Sequence, residues 1–220
     1  MSEETAEPDT GRIWLFGGIK GLVRDGEILS ADLTKLKPEV VLITLSDEHI
    51  LGLRDFLERP YEIELSDYEI IYGVRLSMYG EVMTPPPVYI EALKFSDSTG
   101  IPIVPMDMNE EAYGDLYTKS MRTLDLVRHS IRKKRLLKKD FKDSNVEEFV
   151  RNWEKAINRI RGFRVIDEER LSYIEEKMKQ ALTQYAGKSI FIIVDFEFTD
   201  RIEQFLKNSE IKFTRIYSLD

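Results

Sequence analysis

Four short apolar runs in this chain end on residues that can carry charge or move protons. IWLFGGIK reaches Lys20 through Gly17 and Gly18, VVLITL holds Thr44, IPIVPMD ends on Asp107, and SIFIIVDFE runs out through Asp195 and Glu197. Asp107, Asp195 and Glu197 are carboxylates, and such groups brought together do acid–base work or hold a hard divalent cation such as magnesium. Lys20 behind two glycines suits a different ligand, a small anion or a peptide, with the ammonium giving charge and the turn giving free N–H groups. The same carboxylates also cap helices and bond turns in proteins without a site, so residue type leaves both accounts open. Two phosphate-binding fingerprints are excluded, because FGGIKG is neither G-x-G-x-x-G nor G-x-x-x-x-G-K-[ST].

These groups meet only if the runs are strands that finish on one edge of a sheet. VVLITL and IFIIV are continuous apolar runs, as expected of strands buried on both faces by helices, which argues for parallel pairing. Strands are predicted over 13–16, 40–45, 101–106, 189–195 and 212–217. Open parallel sheets gather ligand groups at the carboxyl ends of their strands. The candidate cleft is therefore Gly17, Gly18, Lys20, Thr44, Asp107, Asp195 and Glu197.

Helix signals separate the strands. Ser66–Glu69 and Ser144–Glu147 both fit a capping box, in which the serine accepts from the first turn and the glutamate reaches back. After the second, Phe149, Val150, Trp153, Ala156, Ile157 and Ile160 fall on one helical stripe. Three prolines at 85–87 break the chain before a helix over 89–96. The longest helical pattern, 110–139, carries Leu116, Leu124, Val127 and Ile131 on an apolar stripe and ends in RKKRLLKK. With the helix over 145–161 it predicts an antiparallel hairpin beside the sheet. The expected fold is α/β, a mainly parallel central sheet flanked by helices, as one domain over 12–220. The hairpin is an excursion over about 110–161, and residues 1–11 form an acidic, disordered tail.

Composition limits the function classes. The 220 residues include no cysteine, which removes disulfides, thiolate nucleophiles and thiolate metal sites. No run approaches the roughly 18 apolar residues of a membrane span, and MSEETAEPDTGR has no basic-then-apolar leader, so a cytoplasmic protein is expected. The net charge of −8 is unevenly placed. Residues 119–164 hold 15 Lys+Arg and 6 Asp+Glu, a local +9, against 17 and 34 elsewhere, or −17. With no aromatic residue in RKKRLLKK, nucleic acid is not the expected partner. A solvated helix end, or the acidic body of a second copy in a homo-oligomer, fits better. His49 and His129 lie in helical patterns among charges and are read as solvated.

Beyond single motifs, the order of features resembles the TraB/PrgY family and its TIKI and erythromycin-esterase-like relatives. VIDEERLSYIEEKM (165–178) followed by SIFIIVDFEF is similar to the family's acidic-acidic-Arg helix before the strand that carries its second G-x-x-H. KPEVVLITLSDEH (37–49) resembles "KPDVV.VELDERR", and the stretch from Pro85 through Ala92 to IPIVPMD resembles "PG.E...A" and "iv..DR". The resemblance implies a metal-dependent hydrolase or peptidase fold. It also places the family's functional residues on positions that lack them here. The first G-x-x-H falls on Gly17–Lys20, the "VELD" glutamate on Thr44, and the "PG.E" glutamate near Val88 with Glu91 one turn away. The "iv..DR" arginine falls on Met108, and the second G-x-x-H falls on 195–198. A lysine near pKa 10.4 is a cation that does not replace a metal-ligating histidine. Loss at five positions implies a catalytically degenerate domain, without cofactor, that binds or assembles. The alternative is a metal-dependent hydrolase whose divalent cation is held by Asp107, Asp195 and Glu197.

Overall fold

The computed structural model describes residues 12–139 and 143–216. Five parallel strands form one sheet: β1 (Ile13–Gly18), β2 (Val40–Ile43), β3 (Ile103–Pro105), β4 (Ile190–Asp195) and β5 (Thr214–Ile216). Their spatial order is β3-β2-β4-β1-β5. β4 is thus inserted between the first two strands, pairing Ile193 with Phe16 on one side and with Ile43 on the other. That places the ends of β1, β2 and β4 side by side, where a parallel sheet offers its crevice.

The α/β expectation holds, and the sheet is parallel in every pairing. Strand side chains alternate between two faces. Trp14, Phe16, Val41, Ile43, Phe191 and Ile193 face one way, where α1 (Val23–Leu36), α2 (Asp47–Glu58) and α4 (Pro87–Thr99) cover them. Leu15, Leu42, Ile190, Ile192 and Val194 face the other way, under α8 (Arg161–Gln184) and α9 (Thr199–Asn208). Both faces being dry explains why the strands read as unbroken apolar runs. No helix among the described residues is long and apolar enough to cross a membrane.

α1 and α4 pack closely because Gly26 leaves room. A Cβ built there lies 2.6 Å from Pro87 Cβ and 3.0 Å from the Pro87 carbonyl carbon. Pro87 opens α4 with a rigid ring. Gly26→Ala, a change that favours an isolated helix by about 1 kcal/mol, is therefore expected to destabilise the protein by about 1–3 kcal/mol through overpacking. Urea denaturation checks the sign, and a stabilised variant would show that α4 slides away freely.

The carboxyl end of the sheet is roofed by α3 (Asp67–Leu76), α6 (Thr123–Lys138) and α7 (Val146–Ile157). α7 buries Phe149, Val150, Trp153 and Ala156 against Ile19, Leu22 and Phe196, so its stripe is core as expected. The hairpin differs from the expectation. The pattern over 110–139 is two helices, α5 (Glu110–Ser120) and α6, parted at Met121 and Arg122. Nor is its apolar stripe buried: Leu124, Val127 and Ile131 are exposed, while Leu136 packs inward. The capping box at Ser66 is present, with the serine accepting from Glu69 N–H and Glu69 accepting from Ser66 N–H. The second box is shifted by one residue. Asn145 caps α7 by accepting from Glu148 N–H at 2.8 Å, and Glu148 in turn accepts from Ser144. An asparagine beside the serine is an equally good cap, and the helix register follows it. The tail 1–11 and the last strand residue expected, Tyr217, lie outside the described residues.

Candidate functional site

Asp195 ends the central strand and is 1% exposed. Four donors meet its carboxylate. Lys20 Nζ reaches Oδ2 at 3.0 Å and Thr44 Oγ1 reaches Oδ1 at 3.4 Å. The Tyr89 hydroxyl donates to Oδ1, and an Arg170 guanidinium nitrogen lies 3.5 Å from Oδ2. Each comes from a different element: the β1 exit, the β2 exit, the first turn of α4, and the inner face of α8. Thr44 also accepts from the Asp195 backbone N–H at 3.2 Å, locking the ends of β2 and β4 together.

Two further carboxylates extend the array. Glu197 pairs with Lys20 at 2.6 Å, and Asp107, at the end of β3, accepts from Arg170 Nε at 2.8 Å and from a second guanidinium nitrogen. The expected residues Lys20, Thr44, Asp107, Asp195 and Glu197 thus lie in one connected network. Burial works against the Lys20 ammonium, but Asp195 and Glu197 outweigh it and hold its proton well above the ordinary lysine range. For Asp195 burial would raise the pKa; the Lys20 and Arg170 charges and the Tyr89 hydrogen bond bring it below the usual carboxylate value.

Gly17 and Gly18 serve packing, which corrects their place in the cleft. They belong to β1 and run opposite Val194 and Asp195 of β4. A Cβ on Gly17 would lie 2.1 Å from Thr199 Oγ1, and one on Gly18 2.9 Å from the Val88 methyls. The N–H that follows, on Ile19, donates to buried Asp25 at 2.8 Å. The close approach required by the glycines is therefore to α9 and α4.

The carboxylates are likewise not arranged as a cation site. Among the described residues no group of three or more His, Cys, Asp or Glu side chains is placed to hold a metal ion. Electrostatics explains this: Asp107 is held by Arg170, Glu197 by Lys20, and Asp195 by both, so each negative charge already has a protein cation. Of the histidines, His49 Nδ1 meets Ser46 Oγ at 2.8 Å in the first turn of α2. His129 is not simply solvated. It packs between Tyr68 and Phe163, with ring centroids 4.5 and 5.2 Å away, and its Nδ1 is buried without a hydrogen-bond partner. Burial, then Lys133, lowers its pKa.

Beside Lys20 and Glu197 a pocket of about 420 Å³ opens toward α3, α6 and α7. Tyr68, Tyr72, Trp153 and Phe163 line its walls, His129 and Lys133 lie toward α6, and Glu154 reaches it from α7. Trp153 and Tyr72 form a continuous aromatic surface with centroids 5.5 Å apart. Burial, then the negative charges of Glu197 and Asp167, pushes the Glu154 carboxyl up to about 8. Asp167 is raised as well, chiefly by burial, although Asn158 donates to it at 2.7 Å.

Sequence reasoning missed Tyr89, Arg170, Tyr72 and Glu154. Arg170 stood in the clearest family-like segment, IDEER, and its position three residues after Asp167 put both on one face of α8. Tyr89 carried no signal beyond its place after three prolines. Trp153 was read as core stripe and Glu154 drew no reading, because nothing local shows that α3 and α6 leave a space over that part of α7. Compared with known proteins, the chain matches no family model and none of the curated sequences.

Proposed function

We propose that this chain is a TraB-like, catalytically degenerate α/β domain that binds a small organic cation with an apolar body in the pocket between Lys20 and α7. One observation carries the ligand class: carboxyls outnumber cations across Glu154 and Glu197 of the pocket wall and the buried network beside them. Asp107, Glu154, Asp167, Asp195 and Glu197 face Lys20 and Arg170, and the surplus is met by Glu154 and Asp167 gaining proton affinity. A ligand ammonium or guanidinium supplies the missing charge, while aromatic faces attract cations and bury the rest of the molecule. An anion at Lys20, the ligand expected from sequence, would have to displace Asp195 or Glu197 from an ammonium that both already neutralise.

Two features favour binding over turnover. Asp195 stays ionised with both oxygens engaged, and Lys20 keeps its proton, so neither is a free base or nucleophile. Support for a TraB-like origin comes from where the altered motif positions fall: Lys20, Thr44, Val88 and Asp195 lie together at the carboxyl ends of the strands, with Met108 buried behind Asp107.

The test compares phenethylamine, phenylacetate and 2-phenylethanol, a size-matched cation, anion and neutral. Binding is read from Trp153 emission in a Trp14→Phe background and from the melting temperature. The amine is expected to perturb the emission and raise the melting temperature, and Glu154→Gln to weaken it at least tenfold. A response to the amine no greater than to the acid or alcohol sinks the proposal.

A further inference from the structure

The exposed side of the same helices carries a second feature. Between α6 and α7 lies a groove of about 670 Å³ into which Arg128, Arg132, Arg135, Lys155 and Arg159 project, and no carboxylate lines it. On α6 the arginines stand at 128, 132 and 135, so they share one face; across from them Lys155 lies near the end of α7 and Arg159 in the turn that follows it. Like charges from α6 and from the end of α7 with its following turn thus meet across a common hollow.

Like charges this close are unfavourable unless something sits between them. For four of these five cations the described residues do not supply it. Among the described residues Arg128 has Asp125 at 3.9 Å, whereas Arg132, Arg135, Lys155 and Arg159 have no carboxylate within ion-pairing distance. Elsewhere the chain pairs comparable cations readily, as Arg54 with Asp97, Arg151 with Asp200, and Arg215 with Glu203. Arg132 is the least comfortable of the set: its Nε is buried without a hydrogen-bond partner. Burial and the neighbouring Arg159 lower its proton affinity.

We propose that this groove is a binding site for a compact polyanion bearing two or more phosphate groups. Guanidinium groups offer paired donors that match phosphate oxygens, and a multiply charged ligand relieves the repulsion of several cations at once. The floor of the groove is aliphatic, formed by Ile131, Leu136, Ala156 and Ile160, with no aromatic side chain among its lining. That gives a nucleobase nothing to stack on, which favours clustered phosphates over single-stranded nucleic acid. The site is separate from the aromatic pocket and opposite in charge, so it does not depend on the cation reading.

Inorganic tripolyphosphate is the probe, titrated calorimetrically into the whole chain at low and high salt. It is expected to bind at low salt and at least tenfold more weakly at high salt, since partly exposed charges are screened. The Arg132→Gln/Arg159→Gln double variant is expected to bind at least tenfold more weakly. Lys134→Gln/Lys138→Gln, which removes the same charge from exposed residues of α6 outside the groove, is expected to bind within twofold of the parent. Vesicles with and without a bisphosphorylated inositol lipid then distinguish a headgroup from a free phosphate compound: sedimentation with the lipid that tripolyphosphate reverses identifies the headgroup, and none identifies the soluble source. The proposal is overturned if tripolyphosphate fails to bind, or if both double variants lose affinity equally.

Discussion

Asp195→Ala is expected to destabilise the protein by about 2–6 kcal/mol, the scale of leaving two buried hydroxyls without their acceptor. The side chain is 1% exposed and is the point where β1, β2, α4 and α8 are joined. Without it Lys20 keeps Glu197 and Arg170 keeps Asp107, so the cations do not become orphans. The Thr44 and Tyr89 hydroxyls lose their acceptor in a dry site, and each such loss costs about 1–3 kcal/mol. The sign of the effect also separates two accounts of the carboxylates. A cluster built to hold a metal repels itself when empty, so removing one member stabilises the metal-free chain. A network built from ion pairs is weakened by the same change. Urea denaturation of Asp195→Ala in the presence of a chelator reads that sign directly, and an unchanged or raised midpoint would refute the ion-pair account. Because Asp195 has a lowered pKa, its contribution is present above the ordinary value of 3.8 and fades as the pH falls through its lower folded value. The variant should therefore lose part of the parent's dependence on acid pH.

The strands were legible because burial on both faces leaves a continuous apolar run, and the ends of those runs named five of the network residues. Their convergence followed from parallel pairing. Tripeptide-scale signals were less secure. Gly17-Gly18 looked like backbone left open for a ligand, yet the side chains that need the space, Thr199 and Val88, lie 182 and 70 residues along the chain. Leu124, Val127 and Ile131 had the period of a buried stripe, but α6 meets the core through Leu136 and presents them to solvent. A periodic face shows that a helix is amphipathic without showing what covers it. The same limit hid the aromatic pocket, since Tyr68, Tyr72, Trp153 and Phe163 come from three helices whose spacing no local pattern records.

The proton on Glu154 makes the second large prediction. Its carboxyl is raised from the ordinary 4.5 to about 8, first by burial and then by Glu197 and Asp167. Between these values the folded chain holds a proton that the unfolded chain has released. Stability from this group is therefore fully present below about pH 4.5 and is lost as the pH rises toward 8. Each tenfold step in proton affinity corresponds to about 1.4 kcal/mol, so the fall amounts to a few kcal/mol across neutral pH. Glu154→Gln keeps the shape and removes the titration; it should flatten the decline and be more stable than the parent at pH 8–9. Raised Asp167 leaves a shallower slope behind. Denaturation midpoints of the two proteins at several pH values check this, and parallel profiles would refute it. The same proton links stability to binding. A ligand cation that neutralises Glu154 must displace it, so amine affinity should rise with pH toward 8 and the heat of binding should vary with the buffer's ionisation enthalpy. In Glu154→Gln both dependences should weaken, because the carboxyl that exchanges a proton for the ligand is gone.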